Sequence, residues 1–300
     1  MIMNQHAGYV SIIGRPNVGK STLMNRLIGQ KISITSSKPQ TTRHAITGIY
    51  TDHYCQAIFI DTPGLHKAEH SALNRHLNKT ATSSLEMADV ILFMVEALKF
   101  TPDDELALKR LKYIEKPVIL VVNKVDHIKN KEELFPFLSE MMSKHQFVEC
   151  LPISALDDKQ MKLVVKSLTH YLPEQAFLFS EDEITTASSS FLASEVLREK
   201  LTRRLNQELP YALTVEIESF EEEAELIRIN AVVWVERETQ KGIVIGKNGT
   251  TLKEASTQAR QDLEKLYDKK VFLKAFVKVR QGWSDDERSL NALGYMGTEL

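Results

Sequence analysis

The sequence predicts two successive folds. An α/β domain with a mostly parallel sheet and helices on both faces is expected over residues 1–172. A smaller α+β domain follows over 191–282, with a linker at 173–190 and a tail at 283–300. Three observations predict this. Apolar, β-branched runs alternate with helical spacing as far as Gln160–Tyr171, the pattern of a parallel α/β sheet. Breakers, acids and small polar residues then crowd Leu172–Gln175 and Ser180–Ser190. Beyond them the order changes to helix, two strands, helix, loop, helix, strand.

The first strand, Tyr9–Ile13, runs into Gly14-Arg15-Pro16-Asn17-Val18-Gly19-Lys20-Ser21-Thr22, and a helix continues to Ile28. The spacing G-x-x-x-x-G-K-S between a strand and a helix is a phosphate loop. Its glycines let backbone N–H groups curl around phosphate oxygens, Lys20 reaches the β and γ phosphates, and Ser21 ligates Mg²⁺. The positive end of the helix dipole adds to the site.

The buried strand within Lys116–Asp126 ends in Asn123-Lys124-Val125-Asp126. Its carboxyl end is where ligands of open α/β sheets bind. Asp126 can accept hydrogen bonds from N1–H and the N2 amine of guanine. Adenine lacks both donors in that arrangement and would leave the carboxylate unpaired, at a cost of ~1–3 kcal/mol or more. Lys124 is expected to lie along the base, and Asn123 to tie the tetrad to the phosphate loop. Between the two motifs, Gln56–Gly64 ends in Asp61-Thr62-Pro63-Gly64. There Asp61 is expected to hold Mg²⁺ through water and the Gly64 amide to meet a γ-phosphate. The polar run Lys38–Arg43 falls where a switch loop supplies a second hydroxyl ligand, and Thr42 is chosen over Thr41. A last strand, from Phe147, leads to Ser154-Ala155-Leu156, whose backbone amide can meet guanine O6. Motifs in this order resemble the translation-factor-related class of GTPases over about the first 170 residues.

Composition agrees with a globular chain: 300 residues, 43% hydrophobic and 26% charged. The net charge of −2 gives no global attraction to nucleic acid, so any polyanion surface is local. Cys55 and Cys150 have no metal or disulfide spacing and read as small core residues of a cytoplasmic protein. The N-terminus has no basic-then-apolar leader, and the longest apolar run, Val90–Val95, is far shorter than a membrane span.

In the second half, Phe191–Leu205 has helical spacing, and strands are expected at Ala212–Phe220 and Leu226–Glu236 around a glutamate-rich turn at 221–225. Then Gly242–Ile245 leads into Gly246-Lys247-Asn248-Gly249, a helix over Thr251–Leu266 and a strand at Val271–Val279. A G-x-x-G loop in this order of elements resembles a KH module of the prokaryotic form, type II. In such modules the loop, here Ile245 to Gly249, clamps about four nucleotides of single-stranded RNA. Residues 241–282 carry ten Lys/Arg against four acids, net +6 inside an acidic protein.

A GTPase with these motifs followed by a KH module resembles the Era family of bacterial GTPases. The likeness extends to Gln40–His44, Asp61–Gly64 and Gly282–Arg288. It implies binding of GTP and GDP with Mg²⁺, and recognition of the 3′ end of small-subunit (16S) rRNA by the C-terminal domain. It also implies a role in 30S subunit assembly and a peripheral association with the inner membrane. A monomer is expected. Glu96 departs from the Asp that many relatives carry at that strand end and is given no catalytic role. Leu65 follows Gly64, so no glutamine orients the attacking water there and intrinsic hydrolysis should be slow. Asn17, Lys20, Thr42 and Gly64 are therefore the candidate catalytic groups, with a K⁺ ion held by Asn17 and switch carbonyls as the missing charge. Two other classes compete. A phosphate-loop kinase or ATPase has no use for N-K-x-D. A trafficking or metal-transport GTPase should carry membrane helices or lipidation signals, and the sequence has none.

Overall fold

The computed structural model describes residues 5–36, 38, 41–63, 71–206, 209–293 and 295. The chain forms two units. The first comprises 1–33, 42–68 and 77–186, and the second 34–41, 69–76 and 187–300.

The first unit begins with β1 (His6–Ile13) and α1 (Lys20–Ile28), followed by β2 (Ile46–Thr51), β3 (Cys55–Asp61) and α2 (Ala72–Met87). Next come β4 (Val90–Glu96), α3 (Pro102–Lys109), β5 (Val118–Asn123), α4 (Leu134–Ser143), β6 (Glu149–Pro152) and α5 (Asp158–Tyr171). The sheet order is β2-β3-β1-β4-β5-β6. All neighbours pair in parallel except β2, which runs antiparallel to β3 along its whole length. Burial on both faces explains why β4 and β5 read as apolar runs up to their last residues, Glu96 and Asn123, and why β3 is apolar between Gln56 and Asp61. Strand order reverses at β1, so the crevice beyond its carboxyl end is the topological switch point, and the loop Gly14–Ser21 leaves β1 there. Local sequence sets several helix ends. Pro102 opens α3 behind a Thr101/Asp104 capping box, and the Asp157 side chain caps α5 by accepting from the Lys159 amide.

The stretch expected as a linker is bound to the first unit as far as Thr186. The Gln56 side chain accepts from the Leu178 and Phe179 amides (2.7 and 2.9 Å) and donates to the Phe179 carbonyl (2.9 Å). The Ile49 amide donates to the Ile184 carbonyl (2.9 Å), and the Thr185 hydroxyl to the Thr47 carbonyl (2.6 Å). Breaker-rich composition marks irregular backbone. It says nothing about what that backbone binds.

The second unit contains α6 (Ser189–Arg204), β7 (Leu213–Glu222), β8 (Leu226–Val235), α7 (Glu238–Ile245), α8 (Thr250–Tyr267), β9 (Lys270–Val279) and α9 (Glu287–Ala292). Its sheet order is β7-β8-β9, with β7 and β8 antiparallel and β8 and β9 parallel. Leu197, Leu201, Ala255, Ala259 and Leu263 of α6 and α8 form one core with Ile227, Ile229 and Val233 of β8. The segment expected as a separate tail is part of this unit. Trp283 is fully buried, stacks on Tyr295 (6.0 Å between centroids) and donates from Nε1 to the Ala212 carbonyl (3.3 Å).

Helix α6 is buried nearly all round. Segment 34–41 belongs to this unit: the Thr35 amide donates to Glu199 (3.0 Å), Arg203 donates to the Thr35 carbonyl (2.8 Å), and Arg198 donates to the Thr41 carbonyl. Arg198 is buried and also donates to Glu195 (2.6 and 2.7 Å).

Candidate functional site

The phosphate loop takes its shape from two residues with positive φ, Asn17 (66°) and Gly19 (110°). A Cβ on Gly14 would stand 2.3 Å from the Met94 carbonyl oxygen, and one on Gly19 would stand 2.3 Å from Asn123 Nδ2. Glycine is therefore required at both positions by close backbone approach. Lys20 is buried at the start of α1 and donates to the Gly14 and Arg15 carbonyls (3.0 and 3.1 Å), which holds its ammonium inside the loop. Burial lowers its pKa to about 8, against the opposing attraction of Asp61.

Asp61, at the end of β3, is fully buried. Its Oδ2 accepts from the hydroxyls of Ser21 (2.6 Å), Ser33 (2.7 Å) and Thr42 (3.4 Å). Ser21 and Thr42 are also 3.2 Å apart. Burial pushes the Asp61 carboxyl upward, while Lys20 and the three hydroxyls pull it back. Its Oδ1 is buried without a hydrogen-bond partner. A buried carboxylate with one oxygen left without a partner and the other gathering serine and threonine hydroxyls is the all-oxygen donor set a hard divalent cation takes, so these residues fit Mg²⁺. Thr41 turns away, donating to the Lys38 carbonyl (2.6 Å). Ser33 was missed in the sequence, since Lys31–Thr35 matches no spacing rule and only the fold brings it to Asp61. Gly64 and Leu65 lie outside the described residues.

The tetrad at the end of β5 is joined to the loop. Asn123 Nδ2 donates to the Val18 carbonyl (2.7 Å), and its Oδ1 accepts from the Ala155 amide (2.9 Å). Lys124, at φ 65°, donates to the Asn17 carbonyl (2.9 Å) and pairs with Glu96 (3.1 Å). Asp126 stands in a single 3-10 turn, Val125–His127, with a partly exposed carboxylate 3.3 Å from His127. The Ser154 amide donates to Gln160 Oε1 (2.6 Å). Both amides of the Ser-Ala pair are thus engaged within the protein. Leu156, exposed, has its amide 3.4 Å from Ser154 Oγ.

Glu96 proves to be a structural hub. Arg15 donates to Glu96 (2.6 Å) and to buried Asp104 (3.0 Å), while Lys124 reaches the same Glu96 oxygen. Burial raises the Glu96 carboxyl, but the hydrogen bonds and charges of Arg15 and Lys124 outweigh it and leave the pKa lowered. A carboxylate at this strand end thus clamps the phosphate loop to the base tetrad. Pro16 and Thr22 complete the loop, at its rim and in the first turn of α1.

In the second unit, Ile245 ends α7, and Gly246, Lys247, Asn248 and Gly249 form a tight turn into α8. Gly246, Asn248 and Gly249 all have positive φ (77°, 53° and 75°). Lys247 and Asn248 are exposed. The turn offers its backbone and one cation to solvent at the N-terminal end of an 18-residue helix, a shape suited to a phosphate backbone.

Among the described residues no helix is long and apolar enough to cross a membrane. Two family models match the chain, a 50S ribosome-binding GTPase over residues 9–124 and a KH domain over 208–284. GTPase Era of Pseudomonas fluorescens is 49% identical over 288 residues, 96% of each chain, and GTPase Era of Azotobacter vinelandii is equally similar. Among solved structures, a variant of Aquifex aeolicus Era bound to GDP·AlF4⁻ superposes with a TM-score of 0.93 at 39% identity, over 97% of this chain and 99% of that one. Era in complex with MgGDPNP and nucleotides 1506–1542 of 16S ribosomal RNA matches with the same score, identity and coverage. With nearly half its residues identical along almost its full length, this chain belongs to the Era family of GTPases.

Proposed function

We propose that this GTPase binds the 3′ region of 16S rRNA through its KH domain and acts in 30S subunit assembly, with hydrolysis of Mg²⁺-bound GTP switching its hold on RNA. The observation that carries the proposal is the hydroxyl cluster on Asp61, because its Thr42 is joined by one peptide bond to Thr41, which groups with the second unit. Thr42 lies beside Asp61, while Thr41, the preceding residue, groups with the second unit, where its carbonyl accepts from Arg198 of α6. A change in what Thr42 ligates is transmitted through one peptide unit to the helix that underlies the RNA-binding fold.

Ser21, Thr42 and Asp61 would hold Mg²⁺, which neutralises phosphate charge when bound. Lys20 and the loop amides orient the phosphates, and Asp126 selects guanine. The stacked-base role of Lys124 and an O6 contact from Ala155 require exchange of the protein contacts these groups now make. The remaining charge in hydrolysis is assigned to K⁺ held by Asn17, which is exposed at the loop tip. Exchanging K⁺ for Na⁺ should slow hydrolysis roughly tenfold or more, within the range of one lost electrostatic contact; equal rates would remove K⁺ from the mechanism. Peripheral membrane association should appear as co-sedimentation with anionic vesicles, and protein left in the supernatant would remove it from the reading.

The function itself is tested by cross-linking the purified protein to total cellular RNA with GTP or GDP bound and sequencing the footprint. Enrichment at the 3′ end of 16S rRNA that differs between the two nucleotides is expected. A footprint without that enrichment would refute the RNA target, and one indifferent to nucleotide would refute the switch.

A further inference from the structure

Strand β9 alternates two chemistries with the period of a strand. Val271, Leu273, Ala275, Val277 and Val279 enter the core against α6 and α8. The opposite face therefore carries Lys270, Phe272, Lys274, Phe276 and Lys278 in a row. Phe272 is 52% and Phe276 44% exposed, large apolar rings left in solvent within a well-packed domain. Lys274 Nζ sits 4.9 Å from the centroid of the Phe276 ring, and Lys278 Nζ 5.7 Å from that of Trp234 on β8. Cross-strand register puts Arg228 beside Phe272 and Trp234 beside Lys278, so the row on β9 runs alongside the row on β8, and among the described residues β9 is an edge of its sheet. The acids paired with this face come from β7 and the turn after it: Glu216 accepts from Trp234 (2.6 Å), Glu218 pairs with Lys278 (2.7 Å) and Glu223 pairs with Arg228 (3.0 Å).

We infer that this stripe is a second contact for single-stranded RNA, separate from the G-x-x-G turn, with bases stacked on Phe272 and Phe276 and the backbone phosphate between them on Lys274. The inference rests on the reading that this domain binds rRNA. Four residues of strand span about 13 Å, so the rings are too far apart to stack on each other and each is free to take its own base. Lys274 stands midway, where the connecting backbone must pass. Sequence-tolerant binding of single strands uses this combination of aromatic faces and cations. An acidic or purely apolar protein surface would use only half of it.

The test compares the full-length parent with Phe272→Ala/Phe276→Ala and, separately, Lys274→Glu. Two single-stranded RNAs are used, a tetranucleotide that fills only the G-x-x-G turn and a strand of about twelve nucleotides containing it. Both rings are exposed, so the variants should unfold at the parent's temperature. The double variant should bind the longer RNA roughly tenfold or more weakly, as lost base stacking predicts, and the tetranucleotide as the parent does. Lys274→Glu should weaken only the longer RNA and flatten its salt dependence. Equal affinity of parent and double variant for the longer strand would overturn the inference and assign the stripe to a protein partner. If neither RNA binds even the parent, the reading of the domain as an RNA binder fails instead.

Discussion

The nucleotide site and the G-x-x-G turn are both glycine-framed loops that end at a helix N-terminus, yet their polar side chains are held in opposite ways. In the first, Gly14 and Gly19 have no room for a Cβ, Lys20 and Asp61 are buried, and Asn123, Glu96 and Asp104 tie loop to tetrad. In the second, Gly246 is boxed in as tightly, with a Cβ 2.2 Å from Thr251 Oγ1, but a Cβ on Gly249 would meet nothing within 4 Å, and Lys247 and Asn248 project into solvent. The contrast separates two strategies for holding phosphate. Preorganised buried dipoles stabilise charge that develops during a reaction, whereas exposed cations on a tight turn give reversible, salt-sensitive affinity. It also predicts where mutations couple: changes in the wired site should be non-additive, and those in the turn nearly independent of it.

The largest expected effect is at Asp61. Asp61→Asn removes the only carboxylate of the hydroxyl cluster and should lower the GTP hydrolysis rate at least about 100-fold, with RNA affinity in the absence of nucleotide unchanged. An equal fall in that RNA affinity would break the separation of the two sites. Glycine substitution sharpens it. Gly19→Ala places a methyl 2.3 Å from Asn123 Nδ2 on a backbone at φ 110°, so GTP affinity should fall roughly tenfold or more. Gly249→Ala meets open space and costs only about 1–2 kcal/mol of left-handed strain in stability. Thermal unfolding and titration with fluorescent GTP read out both, and equal effects of the two variants on their ligands would contradict the comparison.

A several-fold effect is expected from Lys247→Asp/Asn248→Asp. This variant should weaken binding to a single-stranded 16S 3′-end fragment and flatten its salt slope by about 0.7 per lost phosphate contact, leaving GTP affinity intact. Parental RNA affinity with a parental slope would remove the turn from the RNA site.

The smallest effect is a pH dependence confined to the buried site. The pKa of Lys20 is lowered to about 8 in the folded protein from 10.5 as a free side chain. Below pH 8 it is charged in both states, and the burial penalty on folding is complete. Between about 8 and 10.5 the unfolded chain binds more protons, so this lysine's contribution makes the nucleotide-free protein more stable as pH rises. Nucleotide phosphates should restore the ammonium, so GTP binding should take up protons increasingly above pH 8. Calorimetry in buffers of different ionisation enthalpy measures this uptake. No uptake at pH 8.5 would mean that Lys20 stays charged in the empty site.

The order of motifs was legible along the chain because each is a local requirement. A phosphate loop needs its glycines and lysine at set spacing, and a base tetrad needs a strand end. The KH assignment came from the order of elements around Gly246–Gly249, not from any one residue. The choice of Thr42 over Thr41 followed position relative to those motifs, and the fold turns the Thr42 hydroxyl alone toward Asp61.

Contacts between residues far apart in sequence were decided only by the tertiary structure. Ser33 reaches Asp61 across 28 positions, and Glu96 meets Arg15 across 81. Residues 173–190 read as a linker and 283–300 as a tail, because polar, breaker-rich segments look alike whether their backbone faces water or another strand. Gln56 and Trp283, each buried, determine which of the two it is. Periodicity and spacing report the neighbours a residue has along its own strand or helix. A hydrogen bond to a distant segment leaves no period in the sequence, since it depends on where two elements meet in space.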